Sequence, residues 1–163
     1  MSRWIVGQAS DYLFHLPELL VEAYLQVVLY VRVSADAQAE TGNLREATAD
    51  AERQLAERDI TPIKTFSIVE GSRLRDDRQV LEAALAYARR HGAILVAPSR
   101  DRFLRGELAG PGCPRHNELP SVAEYRWLLR LADGVPLATL LHPDAPARGQ
   151  QTRRGMRAKD RRG

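Results

Sequence analysis

The chain has 163 residues, a net charge of +3, 44% hydrophobic and 28% charged residues, and a single cysteine. That is enough chain to bury its own core in one domain, and one cysteine excludes an internal disulfide. No apolar run approaches the roughly 20 residues of a membrane-spanning helix, and no basic stretch followed by an apolar core opens the chain. A cytoplasmic protein without a membrane partner is therefore expected.

In chain order, residues 11 to 25 (DYLFHLPELLVEAYL) space Leu13, Leu16, Leu20 and Tyr24 as a short amphipathic helix, with Pro17 in its first turns. QVVLYVRV (26–33) is continuous and β-branched, as a strand buried on both faces is. From Asn43 to Asp59, Leu44, Ala47, Ala51 and Leu55 share one helical face. PIKTFSIV (62–69) is a second strand. RQVLEAALAYARRHG (78–92) is a helix with Val80, Ala84, Leu85 and Ala88 inward, stopped by Gly92. AILVAP (93–98) is a third strand, and the Gly- and Pro-rich residues 106–120 are a loop. SVAEYRWLLRLADG (121–134) is a helix in which Ser121 and Glu124 form a capping box. Trp127 and Leu128 fall on its core face and receive no functional role. VPLATLLH (135–142) is a fourth strand.

Strands alternating with helices predict an α/β fold, a three-layer sandwich around a mainly parallel sheet of about four to five strands. The expected organisation is a helical extension over 1–25, the α/β domain over 26–142, and a basic tail over 143–163. That tail carries Arg148, Arg153, Arg154, Arg157, Lys159, Arg161 and Arg162 against one Asp between residues 148 and 163, a net +6, which leaves −3 on the rest. Such a block is suited to a polyanion such as DNA, or else is a solvated, solubilising face.

Chemistry in parallel sheets gathers at the carboxyl ends of strands. Three ends are rich in functional groups: Arg32–Ser34, Glu70–Ser72 and Ser99–Arg105. Strand alternation aims Tyr30, Arg32 and Ser34 to one side. Read together, YVRVSADAQ (30–38), GSRLRDDRQVL (71–81) and SRDRFLR (99–105) resemble the catalytic domain of serine recombinases, the resolvase and invertase family. The family's motifs Y-x-R-V-S with a following Gln, D-R-x-x-L and D-R-x-x-R occur in that order.

The resemblance implies a resolvase-like fold, Ser34 as nucleophile, Arg32, Arg78, Arg102 and Arg105 around the scissile phosphate, and Tyr30, Gln38 and Asp101 as supporting residues. It implies double-stranded DNA as substrate, a phosphoserine link to the 5′ end, no metal or other cofactor, and a homodimer that becomes a tetramer when active. This chain departs from the family in lacking a second Gln in TGNLREAT. It also departs in running almost directly from the last strand into the basic tail, where the family has a long helix.

Other readings of the same residues stay open. The domain is alternatively a DNA-binding remnant that no longer exchanges strands. Arg73, Arg75 and Arg78 with Asp76 and Asp77 also suit a solvated turn, Asp101–Arg102 a local ion pair, and Ser34 a capping hydroxyl. SIVEG (67–71) resembles the glutamate strand of Toprim nucleases, in which Glu70 and Asp101 would hold magnesium from neighbouring strands, although the family's D-x-D pair is missing. Cys113 and His116 are spaced like two metal ligands, but with no second cysteine and only His15, His91 and His142 elsewhere, a closed four-ligand zinc site is not expected.

Overall fold

The computed structural model describes residues 8–19, 26–33, 44–69, 74–104 and 122–145, with the backbone alone for 74–77. Among them five strands form one sheet: β1 (Phe14–His15), β2 (Val27–Val33), β3 (Lys64–Val69), β4 (Ile94–Ala97) and β5 (Leu137–Thr139). Every pairing is parallel, and the order across the sheet is β1-β5-β4-β2-β3. The helices are α1 (Leu16–Leu19), α2 (Leu44–Ala56), α3 (Leu74–His91) and α4 (Val122–Ala132). No helix among the described residues is long and apolar enough to cross a membrane.

Strand parity divides the core into two layers. Val27, Leu29, Val31, Ile94, Val96 and Ala138 meet Ala51 and Leu55 of α2 and Leu16 of α1 on one face. Val28, Tyr30, Leu95, Ala97 and Leu137 meet Leu81, Ala84, Leu85 and Ala88 of α3, and Tyr125, Leu128 and Ala132 of α4, on the other. All seven residues of β2 are buried, which is why its apolar run is continuous rather than alternating. Edge strand β3 is less buried than β2 among the described residues, and its Lys64 and Ser67 are exposed.

Local chemistry sets the helix ends. α3 stops where Gly92 takes φ +61°, a left-handed turn that glycine adopts without a Cβ penalty. The last carbonyls of α4 lack helical partners. There Arg89 of α3 donates to the Ala132 carbonyl at 2.9 Å, tying the two helices together.

The N-terminal segment differs from its expected form. Instead of a helix from residue 11, residues Ala9–Asp11 make a 3₁₀ turn, Phe14–His15 an edge strand and Leu16–Leu19 one helical turn, with 20–25 outside the described residues. Leu13 and Leu16 are both buried, but against opposite layers of the sandwich. An apolar spacing of three thus serves a strand crossing rather than a helix face. Pro17, which has no N–H to give, sits in the first turn of α1, where none is required.

Candidate functional site

β2 is longer than its neighbour β4. The two pair only from Val27↔Ile94 to Leu29↔Val96, and β4 ends at Ala97. Among the described residues, Tyr30–Val33 therefore run on with β3 alone beside them, through Tyr30↔Phe66 to Val33↔Val69. The chain leaving β4 folds back over this bare stretch as a 3₁₀ turn, Arg100–Arg102, closed by bonds from the Arg102 amide to the Ser99 carbonyl at 3.1 Å and from Phe103 to Arg100 at 3.0 Å. Phe103, buried, stacks on Tyr30 with ring centroids 6.2 Å apart and planes 7° from parallel.

Two residues further along the same strand face comes Arg32. Only 7% of it is exposed, and its Nη2 donates to the Asp101 backbone carbonyl at 2.6 Å. A guanidinium this far from water needs hydrogen-bonded partners to offset its lost hydration, and the carbonyl is one. The Asp101 carboxylate faces elsewhere: it accepts the Ser99 hydroxyl and lies 4.0 Å from Arg102 Nε. Arg100 bonds the Pro143 carbonyl at 2.9 Å, linking the turn to the segment after β5.

The place of this cluster in the sheet has chemical meaning. β2 leads to α2 on one face, while β4 leads to α4 on the other, so the chain diverges between two adjacent parallel strands. In open α/β sheets this switch point is where ligands bind. Arg32 is held there by the turn that also carries Arg102, and guanidinium groups are planar donors suited to an anion with several oxygens.

Of the expected site residues, Tyr30, Arg32, Asp101 and Arg102 are brought together. Tyr30 is a core residue that supports the turn through Phe103. Arg78 is exposed on α3, and its guanidinium lies 5.0 Å over the ring of Trp127 on α4. Trp127 is packed at the margin of the core rather than fully inside it. Ser34, Gln38 and Arg105, and Arg148, Arg153, Arg154, Arg157, Lys159, Arg161 and Arg162 of the tail, lie outside the described residues, as do Cys113, His116 and Ser121.

The sheet order also bears on a magnesium site. β3 and β4 are not neighbours, because β2 runs between them. Strand ends two positions apart are separated by ~10 Å, so two such carboxylates would have to reach across the end of β2 to share an ion. Glu70, directly after β3, lies outside the described residues, and the Asp101 carboxylate is already engaged by Ser99 and Arg102.

Sequence reasoning gave Phe103 and Ser99 no role of their own, although the apolar pair Phe103–Leu104 among the four charged residues of SRDRFLR marks where the turn re-enters the core. It also passed over Tyr125, which stacks on Tyr12 at 4.4 Å. Burial pushes the Tyr125 hydroxyl up to about 12, with Arg100 pulling the other way. The chain was compared with protein-family models, with curated proteins and with solved structures, and none matches.

Proposed function

We propose that the protein acts on double-stranded DNA as a serine-recombinase-like strand transferase, with Ser34 as nucleophile. The observation that carries this reading is the buried Arg32 guanidinium, anchored to the Asp101 carbonyl at the switch point of a parallel sheet, with Arg102 on the same turn. Ser34 is the second residue after Arg32 in the chain, directly following β2.

In the proposed step the Ser34 Oγ forms a bond to phosphorus and the P–O3′ bond breaks. The 5′-phosphoryl group is left on the serine, and the serine proton ends on the departing 3′-oxygen by way of solvent or a side chain. Negative charge grows on the equatorial oxygens, where guanidinium groups stabilise it without a metal. A single well-aimed donor of this kind is worth about 2.7–4 kcal/mol of barrier, by analogy with oxyanion-hole deletions. The basic tail supplies sequence-independent affinity for phosphates. The protein then works in the cytoplasm as a homodimer, and as a tetramer during strand exchange.

The test is a denaturing gel for a covalent protein–DNA adduct, made with DNA flanking the reading frame and excess EDTA. An adduct formed by the wild type and absent from Ser34→Ala is the expected result. DNA breakage that persists in Ser34→Ala overturns the assignment. Salt-dependent binding with no breakage under any condition favours a DNA-binding remnant, the reading supported by the short stretch between β5 and the tail.

A further inference from the structure

A second cluster lies at the other side of the sheet, at the carboxyl ends of β1 and β5, with β4 between it and β2. His15 closes β1, Glu18 follows three residues later in α1, and His142 comes just after β5. They are brought together by the parallel pairing Phe14↔Ala138 and His15↔Thr139. One ligand atom from each of the three lies within 4.8 Å of the others.

From this geometry we infer a binding site for a single zinc-type divalent ion, held by His15, Glu18 and His142. Two imidazoles and one carboxylate are the donor set of zinc sites that keep one position open for water. Zn–N and Zn–O distances of about 2.0–2.2 Å place tetrahedral ligand atoms roughly 3.4 Å apart. His15 Nδ1 and Glu18 Oε1 are already at 3.4 Å. The His15 and His142 rings have centroids 5.0 Å apart at a tilt of 55°. Glu18 and His142 are exposed enough to close the remaining gap by side-chain rotation.

An independent feature points the same way. His15 Nδ1 is shielded from solvent and makes no hydrogen bond among the described residues, because the nearby Glu18 oxygen is not aligned to accept from it. Buried polar nitrogens are paired as a rule, and a metal ion is a partner that this one can take.

Asp144 completes the surroundings as a positioning residue. It is fixed by the Ser10 amide at 3.1 Å and the Ser10 hydroxyl at 2.9 Å. His142 Nδ1 now accepts the Asp144 amide at 3.2 Å, which leaves the ring proton on Nε2. A metal on Nε2 would move the ring proton to Nδ1, where it would meet Asp144 Oδ2, 3.8 Å away, and the Asp144 amide would give up its bond to that nitrogen. Carboxylate–histidine–metal arrangements of this kind orient the ring and strengthen it as a ligand. The ion would clip the N-terminal edge strand to the segment after β5, a connection Ser10 and Asp144 already make.

Cobalt(II) added to the chelator-treated full chain tests the site, read by visible absorption and by thermal unfolding. The expected result is one ion per chain with the intense bands of a four-coordinate site, displaced by zinc, and a melting temperature that rises with zinc concentration. Exposed Glu18 can be changed without disturbing the core. Glu18→Gln should weaken binding at least 10-fold with an unchanged circular dichroism spectrum, and His142→Ala should abolish the bands. Cys113→Ser should leave them as they are. A spectrum that stays that of aqueous cobalt overturns the site. So do bands that survive both Glu18→Gln and His142→Ala, or bands that disappear with Cys113→Ser.

Discussion

Replacing Arg32 with alanine removes a buried donor and a buried stem in one change, and the structure gives both terms. The bond to the Asp101 carbonyl, 2.6 Å long and charge-assisted, contributes about 1.5–3 kcal/mol. Two methylenes beyond the Cβ that alanine keeps, in a residue only 7% exposed, add roughly 0.8 kcal/mol each. Release of the guanidinium from a poorly hydrated site offsets part of this, by up to a few kcal/mol. A net loss of about 2–4 kcal/mol follows, or roughly 5–15 °C in melting temperature for a chain of this size.

Arg32→Met separates the terms, since it keeps the stem volume and drops the charge. It should fall between wild type and Arg32→Ala, costing less than about 2 kcal/mol. Urea denaturation at pH 7 measures all three proteins. Because Phe103 holds down the turn that carries the Asp101 carbonyl, Arg32→Ala and Phe103→Leu should couple by at least about 0.5 kcal/mol in a double-mutant cycle. An Arg32→Ala protein within about 0.5 kcal/mol of wild type, or strict additivity with Phe103→Leu, would refute the view that Arg32 ties the two strand ends together.

Other expectations concern single contacts. Asp144→Asn should cost on the order of 1 kcal/mol at neutral pH, as loss of a partly exposed charge-assisted bond does. Since the folded carboxyl titrates below its ordinary 3.8, this stabilisation is complete above that pH and is lost as pH falls through the folded value. Denaturation curves of wild type and Asp144→Asn should therefore converge in acid. Tyr125 titrates in the opposite sense: the native state keeps the phenolic proton up to about 12 while the unfolded chain loses it near 10. Stability should decline between those two values, and Tyr125→Phe should flatten the decline in alkaline denaturation. Arg78→Ala removes a cation from the Trp127 ring at an exposed position, worth about 0.5–1 kcal/mol. A loss of DNA cleavage far larger than that small stability change would assign Arg78 to phosphate as well as to tryptophan.

Much of the architecture was legible in the chain because its signals are local. The unbroken apolar run of β2, the 3.6-residue spacing of Ala51 and Leu55 in α2 and of Ala84, Leu85 and Ala88 in α3, and the glycine that ends α3 all depend on near neighbours. They specify alternating strands and helices, and with them a parallel α/β sandwich. The shared face of Tyr30 and Arg32 was likewise readable, since strand alternation is a property of the backbone. At the N-terminus the same kind of reading failed: Leu13 and Leu16 suit a helix by spacing, yet a vacant edge beside β5 drew Phe14–His15 into the sheet.

What only the tertiary structure decided was which distant residues meet. Strand order is set by crossovers spanning tens of residues, and no local pattern encodes it. It put β2 between β3 and β4, separating Glu70's strand from Asp101's. It let the turn after β4 cover the overhang of β2, so that a backbone carbonyl, invisible in any motif, became a partner of Arg32. And it brought His142 to His15 across the whole length of the domain, because parallel strands place all their carboxyl ends on one side of the sheet.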